Sequence, residues 1–172
     1  MTQPRSEIVV RPASEDDAEL IWPIFVTVVR QGDSYAFAPE TGFEEFLALW
    51  MNPPVRAYVA VIDDKVVGSY FIKPAQPGLG AHIANAGYMT DPAARGRGVG
   101  EAMGRHSLEE AARLGYRGMQ FNFVVSTNQA AVRLWRKLGF TIIGTLPGAF
   151  RHATLGYVDT HVMFRTLSPY PL

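Results

Sequence analysis

Three glycines and two arginines lie close together in the segment Arg95-Gly96-Arg97-Gly98-Val99-Gly100, directly before a helical pattern of apolar residues. Glycine allows the backbone to approach a ligand closely and lets neighbouring N–H groups converge on it. The start of a helix adds the positive end of its dipole, and each arginine adds a full positive charge. This combination predicts a binding site for a phosphate group.

Two nucleotide-binding patterns built on glycine-rich loops do not fit this segment. The dinucleotide fingerprint Gly-x-Gly-x-x-Gly, started at Gly96 or at Gly98, would require a glycine where Glu101 or Met103 stands. The triphosphate-binding loop requires a lysine after its last glycine, whereas Glu101 follows Gly100. The phosphate ligand is therefore predicted to be neither NAD nor ATP.

A second block lies downstream, where Asn128, Ala131 and residues 134–140 follow one another at helical spacing. The first block resembles Arg/Gln-x-x-Gly-x-Gly/Ala, the pyrophosphate loop of the GNAT acetyltransferases. The second resembles the Asn-x-x-Ala-x-x-Leu-Tyr-x-Lys-x-Gly-Phe helix of the same family. The first block alone is also compatible with a flexible loop that merely caps a helix. Together, in the family's order and spacing, they imply an N-acetyltransferase with acetyl-CoA as co-substrate and no metal.

A closer likeness is to the fungal proline-analogue acetyltransferases, which acetylate azetidine-2-carboxylate and related cyclic imino acids. The likeness covers about residues 30–150. The stretches that carry it are 32–35, 68–74, 85–87, 121–124 and 127–130.

The family resemblance implies how each cofactor-binding residue acts. The backbone at the end of the fourth strand pairs with the pantetheine arm, N–H groups near Met89 polarise the thioester carbonyl, and Asn128 contacts the sulfur end. The cofactor-binding residues implied are Tyr88, Met89, Thr90, Arg95, Gly96, Arg97, Gly98, Val99, Gly100, Asn128 and Trp135. In place of the family's tyrosine acid stands Trp135, whose indole N–H is no proton source.

The acceptor amine is expected to meet side chains rather than backbone. Asn85 stands where many GNAT enzymes have a glutamate base. The catalytic candidates are Asn85, Asn122 and Asn128, and the substrate-binding candidates are Tyr35, Phe37, Asn85, Asn122 and Phe123. Alternatively, the asparagines are structural and the aromatic residues belong to the core. His82 has a suitable intrinsic pKa for a base, but proton loss to solvent through water is the favoured route.

The elements that position these residues follow from hydrophobic periodicity. Strands are predicted at 8–10, 57–62, 66–72, 82–89, 119–125, 141–145 and 157–164, and helices at 14–31, 42–51, 99–114 and 128–138. Ser14 is expected to cap the first helix, Pro23 to kink it, and Ser126 or Thr127 to cap the last.

This order predicts an α/β protein with one mixed sheet, and the family resemblance implies the GNAT fold. The fold implied is a mixed, mostly antiparallel sheet of about seven strands with about four helices, splayed between strands four and five. We expect one acetyltransferase domain over residues 1–172.

Composition narrows the possible partners. Lys plus Arg and Asp plus Glu number 16 each, which argues against nucleic acid as a partner. There is no cysteine, which excludes a cysteinyl thioester, and the four histidines share no metal-binding spacing. The first six residues contain no apolar leader and no run is long enough to cross a membrane, so a cytoplasmic protein is expected. The family resemblance implies a homodimer.

Three functions remain open from the sequence. The first is acetylation of a small amine, such as an amino or cyclic imino acid. The second keeps the fold but takes a peptide, a lysine or an antibiotic amine as acceptor. The third is an acyl-CoA-binding sensor without catalysis, since the family's glutamate and tyrosine are both replaced.

Overall fold

The computed structural model describes residues 7–168, and the N-terminal residues on which the leader prediction depends lie outside this range. The elements follow the predicted order. They are β1 (Val9–Pro12), α1 (Asp17–Gln31), α2 (Phe43–Phe46, continued by a π-helical turn, Leu47–Met51), β2 (Arg56–Ile62), β3 (Lys65–Pro74), β4 (Ile83–Thr90), α3 (Val99–Arg113), β5 (Gly118–Val125), α4 (Gln129–Lys137), β6 (Thr141–His152) and β7 (Gly156–Thr166). None of the helices in residues 7–168 is long and apolar enough to cross a membrane.

The strands form one mixed sheet in the order β1-β2-β3-β4-β5-β7-β6. Every neighbouring pair is antiparallel except β4 and β5, which are parallel. Their pairing is limited to residues 83–85 against 118–120, although both strands continue for five more residues. The predicted fold class and the splay between strands four and five are therefore confirmed.

Helices cover both faces of the sheet, and each face has its own core. Phe25 and Trp50 pack with Met89 on the face covered by α1 and α2. Tyr70 and Trp135 pack with other apolar residues on the face covered by α3 and α4. Successive side chains of a strand point to opposite faces. Residues 85, 87 and 89 of β4 therefore face α1, whereas residues 84, 86 and 88 face α3.

The start of α1 differs from the predicted hydroxyl cap. The carboxylate of Asp17 accepts hydrogen bonds from the backbone N–H and the hydroxyl of Ser14, at 2.7 and 3.0 Å. Arg11 donates two further bonds to the same carboxylate, at 2.7 and 2.9 Å. These bonds, led by those from Arg11, lower the pKa of Asp17 to about 2 despite its burial. The helix then runs unbroken through Pro23 and ends at Gly32, whose φ is +63°.

Two further predictions are wrong in detail. Neither Ser126 nor Thr127 caps α4. Asn128 does so, because it directly precedes the first helical residue and its Oδ1 accepts the N–H of Ala131 at 3.2 Å. The last two strands are also longer than predicted. Pro147 and Gly148 suggest a turn, yet they lie in a register shift between residues 146 and 150, and β6 continues to His152.

Candidate active site

A cavity of about 800 Å³ opens where β4 and β5 diverge. The loop between α1 and α2, the glycine-rich segment and α4 form its other walls. The predicted site residues that line it are Tyr35, Phe37, Asn85, Tyr88, Met89, Thr90, Arg95, Gly96, Gly98, Val99, Gly100, Asn122, Phe123, Asn128 and Trp135. Arg97 is the exception, because its side chain is exposed beside the cavity rather than in its wall.

The glycine-rich segment forms a tight turn at one end of this cavity. Gly96 and Gly98 have φ values of +75° and +89°, and Gly98 directly precedes α3. A residue with a Cβ would be strained there by about 1–2 kcal/mol. Arg95 donates to the amide oxygen of Gln31 at 2.7 Å, so a neutral group holds its guanidinium. Within residues 7–168, neither Arg95 nor Arg97 is paired with a carboxylate. The turn therefore combines uncompensated positive charge with the start of a helix.

The free edge of β4 follows from its pairing with β3. The N–H of Asp91 donates to Val67, and the N–H of Ala75 donates to Ile83. Because hydrogen-bonded pairs alternate in an antiparallel ladder, odd-numbered residues of β4 bond to β3 and even-numbered ones face β5. The backbone of Met89 is thus committed to β3. The N–H and C=O groups of Tyr88 face the gap.

The hydroxyl of Tyr35 occupies this free edge. It accepts the N–H of Tyr88 at 2.7 Å and donates to the C=O of Tyr88 at 2.8 Å. Gly87 allows the approach, because a Cβ at that position would lie 2.6 Å from the Phe71 ring and 3.2 Å from the Tyr35 hydroxyl. Burial raises the pKa of Tyr35, so the phenol stays neutral at physiological pH.

Two of the predicted asparagines flank the point where the strands separate. Asn85 is 9% exposed, and its Nδ2 donates to the C=O of Gln120 at 2.9 Å, at the last paired position of β4 and β5. The side chain of Gln120 in turn donates to Oδ1 of Asn122, which is exposed, at 2.7 Å. The structural bond of Asn85 uses its Nδ2 and leaves its Oδ1 available to a ligand. The bond of Asn122 uses its Oδ1 and leaves its Nδ2 available.

Asn128 and Trp135 lie on the other side of the gap. The cap on α4 uses Oδ1 of Asn128, so its Nδ2 is the group left for a ligand. Trp135 is buried against Tyr88 and Phe121, with ring centroids 4.6 and 4.7 Å apart. Trp135 therefore forms part of the apolar wall of the cavity.

Lys73 also lines the cavity, although no sequence motif predicted it. It is the register partner of Asn85 on β3 and is half-buried. Its Nζ lies 5.5 Å from the centroid of the Phe71 ring. Among the described residues, no carboxylate forms an ion pair with it. The alternation of β3, which puts residues 71 and 73 on one face, was the signal that could have identified it.

Glu101 is the carboxylate among the residues that line the cavity. Lys137 donates to it at 2.7 Å and Arg105 at 2.8 Å, and these bonds, led by the one from Lys137, lower its pKa. Its charge is therefore compensated by Lys137 and Arg105. Glu101 is therefore not a candidate for the general base.

None of the four histidines lines the cavity within the described part of the chain. His82, the candidate base, is exposed just before β4 begins, whereas the part of β4 that lines the cavity begins at Asn85. His106 bonds to the hydroxyl of Tyr70 at 2.6 Å on the α3 face. No group of acidic or histidine side chains in residues 7–168 could hold a metal ion. The geometry thus gives His82 no access to an acceptor in this cavity.

Comparison with known proteins gives consistent matches. The family described as "Acetyltransferase (GNAT) family" matches residues 19–140. The N-acetyltransferase aca1 of Schizosaccharomyces pombe is 37% identical over 114 residues, which are 64% of this chain and 54% of that protein. The chain therefore spans about half the length of this relative.

Two further proteins match over nearly their whole length. The L-amino acid N-acetyltransferase AaaT of Escherichia coli is 31% identical over 93% of this chain and 98% of its own. The solved structure of a GCN5-related N-acetyltransferase from Kribbella flavida is 47% identical, with a TM-score of 0.89. That comparison covers 92% of this chain and 97% of the other.

Proposed function

The chain belongs to the GNAT family of acetyltransferases, and we propose that it acetylates the amine of a small amino or cyclic imino acid. Acetyl-CoA is the co-substrate. The acceptor is recognised by its carboxylate, which binds at Lys73. The GNAT fold supplies the donor site, and the acceptor end of the cavity supplies the choice of substrate.

The observation that carries this proposal is the unpaired charge of Lys73. Around it the cavity is lined by aromatic rings and by the amides of Asn85 and Asn122. An ammonium group in a partly buried site without a carboxylate favours an anionic ligand. An acceptor with a carboxylate beside its amine would place the carboxylate on Lys73 and leave the amine near the gap.

The asparagine amides suit the rest of such an acceptor. Oδ1 of Asn85 can accept a hydrogen bond from an ammonium or imino N–H group, and Nδ2 of Asn122 can donate to a carboxylate. The rings of Tyr35 and Phe37 stack 5.4 Å apart and give the carbon skeleton an apolar wall. A small cyclic imino acid matches this combination of one charge, two amides and a flat wall.

The transfer itself needs few protein groups. The neutral nitrogen of the acceptor attacks the thioester carbonyl, so a C–N bond forms, the C–S bond breaks and CoA leaves as the thiolate. The N–H of Tyr88 stabilises the negative charge that develops on the carbonyl oxygen. Proton transfer to water serves in place of a protein base. The pKa of a thiol is low enough that its thiolate can leave without protonation by a strong acid.

The relatives support the donor chemistry and this class of acceptor. The Escherichia coli protein that matches over nearly its whole length is named for L-amino acids as substrates. Cationic acceptors are disfavoured, because the ammonium of a lysine side chain or of an aminoglycoside would meet the like charge of Lys73. The replacement of the family's glutamate and tyrosine by Asn85 and Trp135 suggests a sensor without catalysis, but a sensor does not account for the unpaired charge of Lys73 in the cavity.

The test is acceptor-dependent release of CoA, followed with a thiol reagent. The panel contains azetidine-2-carboxylate, L-proline and other amino acids, the carboxamides of the same compounds, a peptide with a free N-terminus, a lysine peptide and an aminoglycoside. We expect release with the acids and much less with the amides. Release with the peptides or the aminoglycoside alone would contradict the proposal, and tight binding of acetyl-CoA without any release would indicate the sensor.

A further inference from the structure

We infer that the hydroxyl of Tyr35 is a placeholder on β4: in the free enzyme it occupies the position of the thioester oxygen, and acetyl-CoA must displace it. The inference concerns the donor alone and holds whatever acceptor the enzyme uses. It makes the Tyr35 hydroxyl a competitor of the donor as well as part of the wall of the acceptor site.

The two hydrogen bonds of Tyr35 locate the overlap. One hydroxyl satisfies both backbone groups of Tyr88 that face the gap, at 2.7 and 2.8 Å. A ligand that pairs with β4 as an added strand uses these same two groups. A backbone N–H donates one well-aligned hydrogen bond at such distances. The hydroxyl and a thioester oxygen therefore exclude each other at Tyr88.

Why β4 needs a placeholder follows from its burial. The gap is lined by Met89, Trp135 and other largely apolar residues. Leaving an N–H or C=O group unpaired in such surroundings is unfavourable, because the group has lost its bond to water. The hydroxyl of Tyr35 supplies the missing partner until the donor binds. The N–H and C=O of Tyr88 are then hydrogen-bonded and cannot pair with another strand.

The placement of Tyr35 allows it to leave. It lies between α1 and α2, outside any helix or strand, and its hydroxyl makes no other hydrogen bond within residues 7–168. Its ring is held by contacts with Phe37 and Trp50, at 5.4 and 6.0 Å between centroids. Displacing the hydroxyl breaks two bonds and leaves the sheet intact. The aromatic wall of the acceptor site then changes when the donor binds.

The first test compares Tyr35→Phe with the wild type, and Tyr58→Phe serves as the matched control. The control removes the hydroxyl that donates to Glu110 at 2.7 Å, away from the cavity. Calorimetry with acetyl-CoA, in the absence of acceptor, should show roughly 3- to 10-fold tighter binding by Tyr35→Phe, because the competing bonds are gone. The control should bind as the wild type does. Unchanged or weaker binding by a folded Tyr35→Phe protein would overturn the inference.

The second test follows the amide of Tyr88 by hydrogen exchange and NMR. In the free proteins, this amide should exchange about 10-fold faster in Tyr35→Phe than in the wild type, and acetyl-CoA should remove the difference. Equal protection in both free proteins would contradict the placeholder role. In the wild type, the contact between the Tyr35 ring protons and the Tyr88 amide should disappear when acetyl-CoA is added. Its persistence would overturn the inference without recourse to any variant.

Discussion

The two ends of the cavity offer different kinds of groups to the ligands that we propose for them. The proposed donor end offers backbone groups, namely the N–H and C=O of Tyr88 and the turn at Gly98, together with charge from Arg95. The proposed acceptor end offers the side chains of Lys73 and Asn122, which come from different strands. A backbone site depends on conformation and changes little when a side chain is replaced. A site of separate side chains can change its ligand by single substitutions, so acceptor choice can vary on a constant donor site.

Gly98→Ala should have the largest effect, and it should act on the donor end. A Cβ at φ +89° forces the turn to change and spoils the start of α3, so acetyl-CoA binding should weaken about 100-fold or more. Calorimetry measures this. Gly144→Ala is the matched control, since Gly144 has no positive φ and a Cβ there meets nothing within 4 Å. Similar affinities for Gly98→Ala and the control would show that this turn does not hold the donor.

Lys73→Met should act on the acceptor end alone. The loss of a charged hydrogen bond should raise the acceptor KM roughly 10- to 100-fold, while the affinity for acetyl-CoA stays within about twofold. Steady-state kinetics and calorimetry measure the two quantities. The control is Lys65→Met, because Lys65 is exposed at the start of the same strand. A large loss of acetyl-CoA affinity in Lys73→Met would contradict the claim that Lys73 acts on the acceptor alone.

Asp17 tests whether the stability of the fold depends on a buried carboxylate at the start of α1. Its pKa of about 2 in the folded protein lies below the value of about 3.9 in an unfolded chain. Its contribution, about 2 kcal/mol, is therefore present above pH 4 and is lost as the pH falls from 4 to 2. Urea unfolding should give the wild type a higher free energy of unfolding than Asp17→Asn above pH 4, and the difference should disappear as the pH falls to 2. A difference that does not depend on pH would contradict the role of this ionised carboxylate.

Asn85→Ala and Asn122→Ala should separate structure from recognition. Both substitutions should lower kcat/KM for the acceptor about 10-fold and leave acetyl-CoA binding intact. Asn85→Ala should also lower the free energy of unfolding by about 1–2 kcal/mol, because its buried bond to Gln120 is lost. Asn122 is exposed, so its substitution should leave stability unchanged. Wild-type turnover in both variants would remove the asparagines from the acceptor site.

The same division explains what the sequence could and could not predict. The glycine-rich turn and the α4 block are each a continuous stretch of sequence, so their resemblance to the GNAT motifs predicted the donor site and the GNAT fold. Lys73 and the Tyr35 contact depend on register and on a loop 53 residues away from Tyr88 in sequence. Local patterns carry no such information. The caps were mispredicted because several polar residues adjoin one another at the start of each helix. Ser14 lies beside Glu15 and Asp16, and Asn128 lies beside Ser126 and Thr127, so the sequence does not show which of them is the cap.

The most direct test of carboxylate recognition at Lys73 combines a change in substrate with a change in the enzyme. We would measure kcat/KM for azetidine-2-carboxylate and for its carboxamide, in the wild type and in Lys73→Met. The wild type should prefer the acid by about 30-fold or more, and Lys73→Met should discriminate by about threefold or less. The same preference for the acid in both enzymes would contradict the account, because the carboxylate would then be recognised elsewhere.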